Sequence, residues 1–169
     1  MSATNDYYRA PDRTTATWRP SQLRAPAKPL PDAPVFDVVE TKWIDPNGSL
    51  GELVAIITGV PYSYDLVETV TLYPSPEGAP KTEDDLTALP DDSPHLVGPQ
   101  IEELSASVRD TLAEVDDARL PEVTRIWMNE DPSSFDDAHH TLELVKELVA
   151  LARRAKASDQ LLYCWGAAG

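Results

Sequence analysis

Prolines divide this chain of 169 residues into segments that can form regular secondary structure and segments that cannot. Six of its sixteen prolines lie in residues 1–34, and six more lie in residues 74–99. Proline lacks a backbone N–H group and restricts the residue before it, so closely spaced prolines disfavour helix interiors and central strands. We therefore expect most helices and strands within residues 35–73 and 100–169.

The first proline-rich segment predicts an extended N-terminal arm over residues 1–34. The segment has few aliphatic side chains, and its stretch "RAPAKPLPDAP" is typical of an extended, partly mobile chain. Tyr7, Tyr8 and Trp18 would anchor the arm against the rest of the protein. We predict a single globular α/β domain for residues 35–169, since that length suffices for one hydrophobic core.

Hydrophobic periodicity predicts the elements of this domain. Segments with alternating or continuous apolar residues are predicted strands: 35–43, 67–73, 122–128 and 160–165. Apolar residues at steps of three and four, or capping signals, predict helices: 50–58, 99–117 and 133–155. The order of elements predicts an α+β or α/β fold with one mixed sheet of about four strands, covered by two long helices and one short helix.

The sequence is strongly acidic, with 29 aspartates and glutamates against 14 lysines and arginines and a formal net charge of −15. This charge argues against nucleic acid or an anionic membrane as a direct partner, because both repel it. No apolar stretch resembles a signal peptide or a transmembrane helix, so the cytoplasm is the expected location. The sequence predicts no cofactor, and it leaves the oligomeric state open.

The negative charge is concentrated in residues 77–117, which hold twelve acidic side chains and only two basic ones, Lys81 and Arg109. Part of this segment is proline-rich, with one predicted helical turn at 82–89 that Thr82 would cap. The carboxylates either keep the protein soluble or form a docking surface for a basic protein. For a docking surface, the candidate residues are Glu83, Asp84, Asp85, Asp91, Asp92, Glu102, Glu103, Asp110 and Glu114.

Aromatic residues flank several predicted turns in residues 43–73. They are Trp43, Tyr62, Tyr64 and Tyr73. Two interpretations are open for them: they belong to the core, or they are exposed anchors for a protein partner, with the carboxylates steering that partner.

The segment "SSFDDAHHTLE", residues 133–143, holds the weak candidates for a metal or acid–base site: Asp136, His139, His140 and Glu143. Asp136 and His140 are four residues apart, as are His139 and Glu143, so either pair would lie on one helix face. A stable metal site needs at least a third ligand, and the only other histidine is His95. We favour solvated residues at a helix start, capped by Ser134, and predict no metal site.

Other catalytic motifs are lacking in the sequence. There is no glycine-rich phosphate loop and no serine in a nucleophile elbow. The single cysteine, Cys164, lies in the apolar run "LLYCW", which favours a buried thiol over a nucleophile.

The chain resembles a group of uncharacterised bacterial proteins from high-GC organisms, which have no assigned activity. The segments that carry this resemblance are "YYRAPD" (7–12), "FDVVETKWIDP" (36–46), "LGELVAIITGVPYSYDLV" (50–67), "VDDARLPEV" (115–123) and "LVALARRAKASDQLLYCW" (148–165). It is also similar to the YfbM-like proteins of unknown function, in its tyrosine-rich start, its "TKW…LVAIITG" pattern and its last helix and strand. Such families occur near toxin or immunity genes, which implies a binding role and assigns no catalytic residue.

These features predict a small acidic protein-binding domain, of the immunity or antitoxin type, that neutralises a basic partner such as a nuclease toxin. One alternative is a structural or adaptor subunit of a larger assembly, in which residues 1–34 lie along a neighbouring subunit. Another alternative is an enzyme that uses Asp136, His139 and His140. We favour a protein that is not an enzyme.

Overall fold

The protein is built on one antiparallel sheet, which the computed structural model describes together with its helices over residues 3–18, 26, 34–96, 98–130 and 137–168. In these residues the sheet has five strands: β1 (Ala3–Ala10), β2 (Val38–Lys42), β3 (Thr69–Tyr73), β4 (Gln100–Leu104) and β5 (Leu161–Ala168). Their spatial order is β2-β1-β5-β4-β3, and every neighbouring pair is antiparallel. The first and last strands of the described chain are therefore neighbours inside the sheet.

Within the described residues, six α-helices accompany the sheet. They are α1 (Arg13–Ala16), α2 (Ser49–Thr58), α3 (Glu83–Ala88), α4 (Ala106–Glu114), α5 (Leu120–Glu130) and α6 (Ala138–Ala157). Helices α2, α4, α5 and α6 share the larger hydrophobic core with one face of the sheet. Helix α1 packs against the opposite face, where a smaller core includes Tyr8, Tyr163 and Trp165. In the described part of the chain, no helix is both long and apolar enough to cross a membrane.

Two adjacent tyrosines of β1 belong to the two different cores, because successive side chains of a strand point to opposite faces. Tyr7 lies on the side of the large helices, and its buried hydroxyl donates to the carbonyl oxygen of Ile44. Tyr8 lies on the other side, and its hydroxyl donates to the carbonyl oxygen of Ala16 at 2.6 Å. Each tyrosine therefore joins β1 to a loop or helix on its own face.

The predicted fold class is correct at the level of an α+β protein, but the sheet is neither mixed nor four-stranded. The segment 122–128, predicted as a strand, is part of α5. Its β-branched and aromatic residues are typical of a strand, but the buried residues of this helix are Leu120, Val123, Thr124 and Trp127. Their spacing of three and four residues is that of a helix face.

The single helix predicted at 99–117 is also wrong, since this segment forms β4 and then α4. Ile101 and Leu104 are both buried but belong to the two different cores, on opposite faces of the sheet. Their spacing of three residues imitates the helical pattern that continues at Val108 and Leu112. Ser105, the extended N-cap residue directly before α4, separates the two elements.

An extended arm over residues 1–34 is not confirmed, because residues 3–16 form β1 and α1. Strand β1 lies between β2 and β5 and carries the buried polar residues Asn5 and Asp6. Polar residues in an inner strand give no hydrophobic alternation, so the sequence pattern did not indicate a strand here. Residues 1–2, 19–25 and 27–33 of the predicted arm lie outside the described residues.

Several local predictions are confirmed. The short helix α2 ends at Gly59, which adopts a left-handed conformation with φ of 73°. The helical turn α3 is capped by Thr82, whose side chain accepts a hydrogen bond from the Asp85 N–H group. Strands β2, β3 and β5 lie at their predicted places. Helix α6 begins after Asp137, which is its N-cap, while the predicted cap Ser134 lies outside the described residues.

Asp37 joins three parts of the fold at one edge of the protein. Its carboxylate accepts hydrogen bonds from Arg9 of β1 at 2.8 Å and from Arg154 of α6 at 2.7 and 3.0 Å. The hydrogen bonds from Arg154, and then those from Arg9, hold the pKa of Asp37 below its ordinary value, although partial burial opposes this. This carboxylate thus ties the start of β2 to the sheet and to the last helix.

Replacing Asp37 with asparagine is expected to lower the free energy of unfolding by about 1–2 kcal/mol, since charge-assisted hydrogen bonds are lost at a partly exposed position. A lowered folded-state pKa stabilises the protein above the unfolded-state pKa, near 3.8, and this contribution disappears as the pH falls through the folded-state pKa. Urea unfolding between about pH 7 and pH 3 should therefore show a weaker loss of stability on acidification in Asp37→Asn. The exposed control Glu147→Gln should follow the wild type, and equal acid sensitivity of Asp37→Asn and the wild type would contradict this role.

Candidate protein-binding surface

The acidic residues predicted to bind a partner fall into two groups in the structure. Five of them are exposed and lie in the connection between β3 and β4: Glu83, Asp84, Asp85, Asp91 and Asp92. We call these five residues the α3 surface. Within the described residues, none of the five forms an ion pair, and Lys81 is the only lysine or arginine in residues 74–99. Their charge is therefore presented to solvent.

Glu103 belongs to the second group, whose carboxylates are hydrogen-bonded or partly buried within the protein. The Arg13 guanidinium donates two hydrogen bonds to this buried carboxylate, at 2.9 and 3.0 Å, and the Tyr163 hydroxyl donates a third at 3.2 Å. The hydrogen bonds from Arg13 hold the pKa of Glu103 below its ordinary value, while burial and the nearby Glu103 raise the pKa of Tyr163. No local sequence pattern indicates this pairing, because Arg13 and Glu103 are 90 residues apart.

Asp110 and Glu114 connect α4 to α6. Lys156 donates to Glu114 at 2.6 Å and lies 3.9 Å from Asp110, whose carboxylate also accepts from Arg109 at 3.0 Å. The hydrogen bond to Glu114 raises the pKa of Lys156. Glu102, next to Glu103 on β4, is half-buried on the side of the large helices, and its Oε2 atom has no hydrogen-bond partner among the described residues. These carboxylates are much less available to a partner than the α3 surface.

Three aromatic side chains that could have been core residues are exposed instead. Trp43 is 51% exposed, Tyr62 is 40% exposed and Tyr64 is 72% exposed, whereas Tyr73 is half-buried. We call Trp43, Tyr62 and Tyr64 the aromatic patch. Their exposure favours the interpretation of these residues as anchors, since large aromatic side chains at a surface are typical of interfaces.

Hydrogen bonds join the two loops that carry the aromatic patch. The Tyr62 hydroxyl donates to the carbonyl oxygen of Asn47 at 2.6 Å, and the Asn47 side-chain amide donates to the carbonyl oxygens of Val67, at 2.9 Å, and Tyr64, at 3.4 Å. Asp45 accepts from the N–H groups of Gly48 and Ser49, at 2.8 and 3.1 Å, where α2 begins. The loop after β2 and the loop after α2 therefore form one connected structure.

The surroundings of the aromatic patch are negative. Residues 43–80 contain no lysine, arginine or histidine but five acidic residues: Asp45, Glu52, Asp65, Glu68 and Glu77. Burial, and then the nearby carboxylates of Glu52 and Asp45, raise the pKa of Tyr62. The exposed Lys42, directly before Trp43, is the nearest basic residue along the chain. A cationic group would be attracted to this part of the surface.

The residues considered for a metal or acid–base site do not converge in the described structure. His139, His140 and Glu143 are exposed, and Asp136 lies outside the described residues. Asp137 accepts hydrogen bonds from the backbone N–H groups of His139 and His140, which lower the pKa of its carboxyl. Across the described ranges, no group of three or more histidine, cysteine, aspartate or glutamate side chains could hold a metal ion. The hydrogen bonds of the Asp137 carboxylate are therefore those of a helix N-cap.

Cys164 is buried in β5, as its apolar sequence context predicts. The Asn5 side-chain amide donates to its sulfur at 3.8 Å, and burial raises the pKa of the thiol. A raised pKa keeps the thiol protonated, and a protonated thiol is a poor nucleophile. The geometry around Cys164 is therefore that of a packed core residue.

Comparisons with protein-family models, with curated proteins and with solved structures find no match for this chain. The resemblances seen in its sequence, to uncharacterised high-GC bacterial proteins and to YfbM-like proteins, accordingly stay predictions. The geometry of the α3 surface and the aromatic patch carries the functional interpretation.

Two neighbouring glutamates allow a direct test of which carboxylates serve the fold. Glu103→Gln should lower the free energy of unfolding by about 1–2 kcal/mol, because the charge-assisted pair with Arg13 is lost. Glu102→Gln should change it by less than about 0.5 kcal/mol, since an unpartnered buried carboxylate oxygen contributes no hydrogen bond. Urea denaturation at neutral pH measures both values, and a larger loss for Glu102→Gln than for Glu103→Gln would refute this assignment.

Proposed function

We propose that this protein is a small acidic protein-binding domain that docks onto a basic protein through the α3 surface. The single observation that carries the proposal is that α3 has no buried residue, although it carries three acidic side chains in its first turn. A surface helix that serves only the fold buries one face against the core. Helix α3 buries none, so its side chains remain available for an external partner.

The charge of the α3 surface supports a basic partner in particular. Its carboxylates are not neutralised by ion pairs within the described residues, and the formal net charge of the chain is −15. Concentrated charge of one sign accelerates association with an oppositely charged surface, and this acceleration weakens as salt screens the charges. Leu86 of α3, which is 45% exposed, adds an apolar contact beside the carboxylates. Together they offer steering by charge and some burial of apolar area.

The specific form of this proposal is an immunity or antitoxin role, in which the acidic domain covers the basic surface of a toxin such as a nuclease. Support comes from the charge pattern and from the resemblance to families that occur near toxin or immunity genes. The adaptor and enzyme alternatives have no comparable support. In the enzyme alternative, His139 and His140 are both exposed, and the neighbouring Asp137 is engaged as a helix cap.

The proposal predicts that charge reversal on the α3 surface weakens binding more than the same reversal elsewhere. We expect the triple variant Glu83→Lys, Asp84→Lys, Asp91→Lys to bind a fluorescent decalysine peptide at least about tenfold more weakly, since the local field is removed. Fluorescence anisotropy at low and at physiological salt measures the affinity. The wild-type affinity should also fall as salt is raised.

The matched control reverses three exposed acids on other elements: Glu40→Lys, Glu122→Lys and Glu147→Lys. This variant has the same net charge as the α3 variant, so it should lose less than about threefold in affinity if position matters. An equal loss in both triple variants would show that only net charge acts and would refute a docking role for the α3 surface. Thermal unfolding of both variants verifies that each is folded.

A further inference from the structure

We infer that the aromatic patch anchors an arginine side chain on an exposed loop of the basic partner. The inference rests on the proposed function only in taking that partner to be a basic protein. It concerns a different part of the surface, formed by the loops after β2 and after α2. Three observations carry it: the backbone of Trp43, the hydrogen bonds that join the two loops at Tyr62 and Tyr64, and the charge around the patch.

Trp43 adopts a backbone conformation that the fold itself does not require of a tryptophan. Its φ angle is +66°, in the left-handed region that favours glycine and that bulky residues rarely adopt. Thr41 and Ile44, on either side, are buried and hydrogen-bonded. The left-handed turn sends Ile44 into the core and leaves the indole of Trp43 at the surface, so the chain keeps an unfavourable backbone and an exposed apolar side chain at one position.

Residues held in sparsely populated backbone regions occur preferentially at binding and catalytic sites, where the surrounding structure maintains them. Glycine or asparagine would make the same turn at lower cost. Because the indole is 51% exposed, its packing within the described structure is partial. A function for this side chain outside the chain's own core explains why a tryptophan, and not glycine or asparagine, occupies this left-handed position.

The Tyr62 side chain and the Tyr64 backbone are hydrogen-bonded within the chain before any partner binds. The Tyr62 hydroxyl is bonded to the carbonyl oxygen of Asn47, and the Asn47 amide is bonded back to the carbonyl oxygen of Tyr64. Asp45, two residues after Trp43, caps the start of α2 and fixes the same loop. A rigid aromatic surface loses little conformational entropy on binding, which increases affinity for a given contact area.

The charge around the patch selects a cation, and the aromatic rings select arginine among cations. Exposed carboxylates of Asp45, Asp65 and Glu68 lie on the same loops, and no basic residue occurs between Lys42 and Lys81. A guanidinium group is planar, weakly hydrated and stacks on aromatic faces, whereas an ammonium group is strongly hydrated. A second copy of this chain is a poor occupant, since it would bring the same negative charge to the patch.

The test compares two labelled peptides of eight residues, one alternating arginine with glycine and one alternating lysine with glycine. The wild type should bind the arginine peptide several-fold more tightly, as expected for a cation–π contact. Trp43→Gly should remove most of this preference. It should not lower the midpoint of thermal unfolding, because glycine adopts the left-handed conformation without strain. The matched control Trp18→Ala removes another exposed tryptophan, 54% exposed beside α1, and should keep the preference.

The inference is overturned if both Trp43→Gly and Tyr64→Ala keep the arginine preference. This holds even if charge reversal on the α3 surface weakens the binding of both peptides. If the aromatic-patch variants lose the arginine preference but charge reversal on the α3 surface does not weaken binding, the inferred anchor is supported and the proposed function is refuted. A dimer in sedimentation that Trp43→Gly dissociates also overturns the inference, because the patch would then serve self-association. If Trp43→Gly unfolds at a lower temperature, Tyr64→Ala decides, since Tyr64 is 72% exposed and outside the strained turn.

Discussion

The pairing of β1 with β5 is the constraint on which the rest of the structure depends. Eight residues of each strand pair in register, from Ala3 opposite Ala168 to Ala10 opposite Leu161. Because side chains alternate along a strand, a shift of one residue would exchange Tyr7 and Tyr8 between the two faces. Each tyrosine hydroxyl bonds to a partner that exists on one face only, Ile44 or Ala16. The two hydroxyls therefore fix the register of the strand that holds both cores together.

The sequence predicted the elements whose signals are local and missed those that depend on distant partners. Helix α2, the capped turn α3 and the apolar strand β5 follow from caps, glycine and apolar runs. Strand β1 is stabilised by pairing with β2 and β5, and its polar residues Asn5 and Asp6 carry no alternation that a reader of the sequence could recognise. In the segment 100–114, the first residues pair with neighbouring strands as β4, although their apolar spacing is that of a helix. In α5, the residues form a helix with one buried face, although their composition is typical of a strand.

The sequence predicts that the candidate surface is acidic, but it does not predict which acidic residues are exposed there. Glu102 and Glu103 are identical in type and adjacent in sequence, yet the strand turns them to opposite faces, where only Glu103 meets Arg13. Composition gives the number of carboxylates in a segment, whereas the topology decides which of them find a cation. Likewise, no local pattern distinguishes an exposed Trp43 from a buried Trp127, because neither the left-handed φ of Trp43 nor the burial of the adjacent Ile44 is visible in the sequence.

The α3 surface and the aromatic patch occupy different kinds of structure, and in the binding that we propose this difference suits different steps of one association. Helix α3 buries no residue, so in the proposed docking its carboxylates would act through their field, at distances set by ionic screening. The loops of the patch are fixed by Asn47 and Asp45 at the start of α2, whose side chains enter the core at Leu50 and Leu53. Electrostatic steering of a partner requires charge but not a rigid surface. An anchor residue should be rigid, because a side chain that is already ordered loses little conformational entropy on binding. A fold that places its unpaired charge on a peripheral helix and its exposed aromatic rings beside its core meets both requirements.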